Sequence, residues 1–173
     1  QPPKYTVRRL QPTDALSFYA AVRESIDDLT YWMPWCSKEY ALSDAQAWME
    51  TANNMWATGA EYPMGIFDAN TGVVVGGTGV NRAYRIGNIG YWVSSTHTGQ
   101  GVARFAAHQA AVHGFKELGL TRLEIVVLTH NKASQRVAER IGAKFECEAR
   151  NRVYFQGAPH NAFVYSLLPD DLL

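Results

Sequence analysis

The sequence predicts a single mixed α/β domain over residues 1–173, on three observations. A chain of 173 residues, 47% hydrophobic and 18% charged, can bury one sizeable core. Its hydrophobic period changes from helical to alternating at Tyr62. The elements then run β-α-α-β-β-β-α-β-α-β-β, giving six or seven strands and about four helices. That order is not the strict strand–helix alternation of a doubly wound dinucleotide-binding sheet.

Each element has its own signal. Tyr5 to Leu10 alternates as a first strand. Thr13 is placed to cap a helix from Asp14 to about Leu29, with Leu16, Ala20 and Ile26 on its apolar face. Ser43 or Asp44 caps a second helix, where Trp48, Ala52, Met55 and Trp56 recur at helical spacing before Gly59 ends it. Tyr62–Phe67, Val73–Val80 and Ile86–Val93 read as three successive strands. Asp68-Ala69-Asn70-Thr71-Gly72 makes a hairpin of the first two. A glycine-containing loop then opens an alanine-rich helix that Gly119 stops after Leu118. Arg122–Leu128 is a β-branched strand, and Asn131–Arg140 a short helix closed by Gly142. Strands over Lys144–Phe155 and Ala162–Leu168 complete the chain.

Composition removes several classes of function. Sixteen basic and sixteen acidic residues give zero formal charge and a pI near 7.1. Neither duplex nucleic acid nor an anionic membrane is an expected partner of such a surface. Cys36 and Cys147 lie far apart, and the five histidines show no ligand spacing, so no metal site is expected. The first residues hold Lys4, Arg8, Arg9 and Asp14 without an apolar core of a leader, and two thiols suit a reducing compartment. The expected location is cytoplasmic.

The segment with the most chemistry runs from Ile89 to Arg104. A strand enters the loop Thr98-Gly99-Gln100-Gly101, and Val102-Ala103 opens the next helix. Gly99 and Gly101 remove side chains where backbone N–H groups turn outward, and the helix dipole adds positive potential. The expected ligand is a phosphorylated cofactor. The spacing is not GxGxxG, which would need glycine at Arg104, and the Gly-Lys-Ser/Thr ending of a P-loop is missing. A second segment, Asn131-Lys132-Ala133-Ser134, opens the helix after a buried strand. Alone such a segment is more often capping than chemistry. Its strand and the one before the glycine loop are expected to end on the same side of the sheet, where ligands gather.

These two segments, their separation, and Gly142-Ala-Lys-Phe-Glu-Cys-Glu-Ala-Arg150 resemble the GNAT family of N-acetyltransferases. Tyr31-Trp32-Met33-Pro34-Trp35 resembles its RimJ/RimL-type branch, which acetylates the N-termini of ribosomal proteins. The resemblance implies a mostly antiparallel sheet whose central strands splay apart. It implies acetyl-coenzyme A as co-substrate, with the pyrophosphate on the amides of Thr98, Gly99, Gln100, Gly101, Val102 and Ala103. Strand backbone at Trp92, Val93 and Ser94 would bond the pantetheine arm or the thioester oxygen. Asn131 would touch the arm, and Ser134 would stand near the thiol as a catalytic residue. Tyr31, Trp32 and Trp35 would line the acceptor side, and Glu146 would be the base or an acceptor-positioning group. Two departures stand out: Thr98 occupies a position usually Gln or Arg, and Ala138 a position where many relatives carry a tyrosine acid.

The implied reaction is direct attack of an amine on the thioester, without an acyl-enzyme. An α-amine, with a pKa of about 8, is far more often neutral at pH 7 than a lysine of about 10.4. The first functional reading is therefore acetylation of a protein or peptide N-terminus. A small-amine acetyltransferase and a non-catalytic coenzyme-A-binding module are the alternatives. A homodimer is compatible with the sequence.

Overall fold

The computed structural model describes residues 2–172 as seven strands and five α-helices. In chain order these are β1 (Tyr5–Arg9), α1 (Ala15–Glu24), α2 (Ile26–Trp32), α3 (Leu42–Thr58), β2 (Glu61–Asp68), β3 (Val74–Ala83) and β4 (Ile86–Val93). Then come α4 (Val102–Val112), β5 (Arg122–Leu128), α5 (Lys132–Arg140), β6 (Lys144–Phe155) and β7 (Ala158–Leu167). The strands form one sheet in the order β1-β2-β3-β4-β5-β7-β6. β1–β2, β5–β7 and β6–β7 pair antiparallel, whereas β4 and β5 pair in parallel. The parallel register covers Ile86–Asn88 against Arg122–Glu124, at the start of both strands. The α/β class and the mostly antiparallel sheet agree with the expectation.

The chain divides into two compact units. The first takes the chain up to Gly79 together with Tyr91–Ala106. Strand alternation splits its core into two layers. Phe67 and Val74 face Phe18, Val22, Leu29 and Met49 of α1–α3, while Ile66 and Val75 face Val102 and Ala106 of α4. Each such buried side chain contributes roughly 1.5–3 kcal/mol. The second unit takes Val80–Gly90 together with the chain from Ala107. In β5 the buried residues are Leu123, Ile125 and Val127, alternating with half-buried ones. Most of β6 stays exposed, including Phe145 and Tyr154.

The Asp68–Gly72 hairpin forms as its sequence requires. The Asp68 carboxylate accepts from the amides of Asn70 (2.9 Å) and Thr71 (3.0 Å), and Gly72 takes φ +72°. Five details differ from the sequence reading. The helix expected over 14–29 breaks at Ser25, giving five helices in place of four. Its buried face carries Ala15, Phe18, Ala21 and Val22, while Leu16 and Ala20 point to solvent. Thr13 does not cap it; the Asp14 carboxylate accepts the Gln11 amide and a bidentate pair of bonds from Arg8. Likewise neither Ser43 nor Asp44 is the first cap of α3, which starts at Leu42, although the Asp44 carboxylate accepts the Ala41 amide (2.8 Å). Finally, the alanine-rich helix is α-helical only to Val112, then widens to i→i+5 bonding, with the Leu118 amide donating to the His113 carbonyl.

Candidate active site

In the first unit, β4 ends at Val93 and a short 3₁₀ turn, Ser95–His97, leads into the glycine loop. Thr98 closes that turn by donating its hydroxyl to the Ser95 carbonyl (3.1 Å). Gly99 and Gly101 then adopt φ +73° and +80°, a region that favours glycine, and a Cβ added to either would meet nothing within 4 Å. The loop therefore presents open space above backbone that turns into α4. The first amides of that helix have no partner within the helix itself. The Gln100 side chain is drawn away, accepting from Lys4 (3.2 Å) and Tyr5 (3.3 Å) and donating to the Thr96 carbonyl (3.2 Å). Val102 is buried against Tyr5, Ile66 and Val75, which fixes where the helix begins. A pyrophosphate fits this cradle of small residues and amides.

The side chains of Trp92, Val93 and Ser94 all point into the protein. Trp92 packs edge-on to Phe18 (5.5 Å between ring centres), and Val93 joins the Ile66–Val75 layer. Ser94 is fully buried, its hydroxyl bonded to the Glu24 carboxylate and its amide to the Val75 carbonyl (2.8 Å). The Ser94 amide is thus spent on the sheet and cannot serve as an oxyanion donor. Successive amides of a strand face opposite edges. Because Ser94 faces β3, the Val93 N–H faces the other edge of β4.

The aromatic segment is part wall and part core. Tyr31 and Trp32 meet edge-to-face at 4.6 Å, and Trp35 stands 6.0 Å from both Trp92 and Tyr40. Tyr31 and Trp35 remain 44% and 46% exposed, so each keeps a face for a ligand. Tyr40 is buried, and burial raises its pKa above the ordinary tyrosine value.

In the second unit, Asn131 is the cap of α5, its side-chain oxygen accepting the Ser134 amide at 3.1 Å. That leaves the Asn131 amide group as a donor. Gln135, one residue on, is buried and donates to the Thr129 carbonyl (2.9 Å), which anchors the turn. Ala138 is completely buried, and this helix carries no phenol at that position.

Glu146 is committed elsewhere. Arg122 donates to both its oxygens (2.8 and 2.6 Å), and Ser166 adds a third bond (2.8 Å). The Arg122 bonds, then the Ser166 bond, pull its pKa down to about 2. A carboxylate so stabilised is a poor base near neutral pH. Glu146→Gln is accordingly expected to leave the pH profile of turnover unshifted and to cost no more than about 1 kcal/mol of stability, as measured by steady-state rates and thermal unfolding.

Sequence reasoning missed Glu24. Nothing in its neighbourhood along the chain marks it, since its partners Ser94 and Thr96 lie 70 and 72 residues away. Among the described residues no group of three His, Cys, Asp or Glu side chains could hold a metal, and no helix is long and apolar enough to cross a membrane.

Residues 4–144 match the family model for the acetyltransferase (GNAT) domain. A Bacillus subtilis protein named "Putative ribosomal N-acetyltransferase YdaF" is 28% identical over 169 residues, covering 94% of this chain and 90% of its own. Two solved structures share the fold. RimL, the ribosomal L7/L12 α-N-protein acetyltransferase in complex with coenzyme A, gives a TM-score of 0.86 at 19% identity, with 97% of this chain and 96% of its own covered. MccE, the microcin C7 self-immunity acetyltransferase in complex with acetyl-coenzyme A and AMP, gives 0.85 at 18% identity, with 95% and 92% covered. The chain belongs to the acetyltransferase (GNAT) domain family, and is an N-acetyltransferase that draws its acetyl group from acetyl-coenzyme A.

Proposed function

We propose that one N-acetyltransferase domain spans residues 1–173 and acetylates the α-amino group of a protein or peptide N-terminus. The observation that carries the acceptor side is the half-exposed aromatic pair Trp35 and Tyr31, with Trp35 packed on Trp92 at the end of β4. An extended peptide presents its first side chain and its amine together, which suits an aromatic wall beside a strand end. Relatives named for ribosomal proteins support the same class of acceptor.

In this reading the amides of Gly99–Ala103 hold the pyrophosphate, with Thr98 shaping the turn. The Asn131 amide group bonds the pantetheine arm. The outward Val93 N–H stabilises the oxyanion as the amine attacks the thioester carbon, a donor worth about 3–4 kcal/mol in such sites. Ser134 gives the departing thiolate a proton. Ser134→Ala should then lower kcat about tenfold to a hundredfold while acetyl-coenzyme A binding changes little, in thiol-release assays beside calorimetry. Because α-amines are already partly neutral at pH 7, no strong base is required. The test is mass spectrometry of peptides beginning with free serine or alanine, ribosomal-protein N-termini among them. Absence of a 42 Da gain on every such peptide, with transfer to small amines instead, would overturn the acceptor assignment, the mass shift being that of one acetyl for one hydrogen (~42 Da).

A further inference from the structure

Several carboxylates in this protein are held by a cation, and Asp44 and Asp68 by backbone amides of their own turns. Asp14 is paired with Arg8, Asp27 with Lys38, Glu146 with Arg122 and Asp171 with Lys144. Glu24 differs. Its Oε1 accepts from the Ser94 hydroxyl and from the Thr96 hydroxyl (3.1 Å), and among the described residues no lysine or arginine pairs with it. Neutral donors fix a carboxylate in position without cancelling its charge. A fixed, uncompensated negative charge is a site for a cation.

Its location is equally specific. Glu24 is the last residue of α1, and the helix breaks immediately after it. A second set of bonds locks that break to the strand end: the Ser95 amide donates to the Ser25 hydroxyl (2.8 Å), and the Ser95 hydroxyl to the Glu24 carbonyl (2.9 Å). The charge is therefore tied to Ser94, the residue after Val93, whose amide faces the thioester in the reading above. Phe18, on the same helix, and Trp35 flank Trp92, two residues before Ser94, and aromatic faces favour a cation. Glu24 itself remains exposed, so a ligand can reach it.

We propose that Glu24 is the carboxylate that receives the acceptor's primary ammonium, and that it takes the proton the amine must lose. The proposal rests on the acetyl-transfer reading. In the step, one N–H bond of the ammonium breaks and its proton passes to Glu24. The freed nitrogen lone pair attacks the thioester carbon, the C–S bond breaks, the thiolate takes the Ser134 hydroxyl proton, and Ser134 recovers a second proton from the nitrogen. Glu24 returns its proton to water through its exposed side. The products are the acetamide, coenzyme A as the free thiol, and one proton. A free primary amine is thus required, bound as its ammonium, and an acetylated N-terminus is refused.

Glu24→Gln separates this role from a structural one, because the glutamine Oε1 still accepts from Ser94 and Thr96 while the charge is gone. The variant should keep its thermal midpoint and its calorimetric affinity for acetyl-coenzyme A, yet lose about 100-fold in kcat/KM for a hexapeptide with a free N-terminal serine. Glu24→Asp, which restores the charge on a shorter arm, should recover part of the loss. A second arm needs no turnover: tryptophan fluorescence titrated with that hexapeptide and with its N-acetylated twin. Wild type should prefer the free amine by about tenfold, and Glu24→Gln should not distinguish them. The proposal is overturned if Glu24→Gln turns over within threefold of wild type on the ~1 kcal/mol scale of an exposed pair, or if wild type does not distinguish the two peptides. Failure of the acetyl-transfer reading shows separately, as wild-type protein that prefers the free amine but releases no thiol.

Discussion

Gly101→Val is expected to weaken acetyl-coenzyme A binding by at least about 100-fold, from two costs acting together. At φ +80° a β-branched residue is strained, by about 1–2 kcal/mol for the left-handed region alone. Its side chain would also stand in the open space over the first amides of α4, where a Cβ now meets nothing within 4 Å. The protein can relieve the strain only by turning those amides away, so either response spoils the cradle. Calorimetry with acetyl-coenzyme A measures the effect. Gly119→Val is the matched control, because Gly119 has φ +64° and open space too but lies after the far end of α4. It should lose comparable stability and keep its affinity. Equal affinities for Gly101→Val and wild type would remove the phosphate cradle from this loop.

The second large effect concerns stability. A Cβ at Gly76 would sit 2.3 Å from the Trp92 carbonyl oxygen, 3.2 Å from the Val93 Cα and 3.0 Å from Ile66 Cδ1. Two of these are backbone atoms, which cannot rotate aside as a side-chain tip can. Gly76→Val should therefore push β3 and β4 apart, at a cost of roughly 3–4 kcal/mol, with a fall in thermal midpoint of about 8–12 °C. The displaced atoms belong to the residues that precede the loop and to the proposed oxyanion donor. Activity should fall further than stability explains when rates are read well below the midpoint. A midpoint within 2 °C of wild type, about 1 kcal/mol or less, would mean the strands are not in such close contact.

What could be read from the sequence was what short stretches of chain decide for themselves. The Asp68–Gly72 turn is fixed by an aspartate and a glycine four residues apart, and Asn131 caps α5 through Ser134, three residues on. The glycine loop is equally local, since its two positive φ angles need nothing beyond Gly99 and Gly101. Failures came where a distant partner decides. Leu16 and Ala20 make as good an apolar stripe as Phe18 and Val22 until the sheet chooses a side. Glu146 reads as a base or an acceptor-positioning group until Arg122 on β5 and Ser166 on β7 close on it. Glu24 has no local signature at all, and its meaning rests on hydroxyls contributed after β4.

The break at Ser25 also has a place in time. A bond at the end of the first helix joins Ser25 to Ser95, and three strands and two helices lie between them in the chain. Closing so long a loop has an entropic cost that must be met before the contact gives anything back. Local bonding alone favours continuing the helix through Ser25, and that is the form available to a chain whose β-meander has not yet assembled. The bend that sets Glu24 against Ser94 is therefore a late event in folding, made by the sheet and not by the helix that carries it.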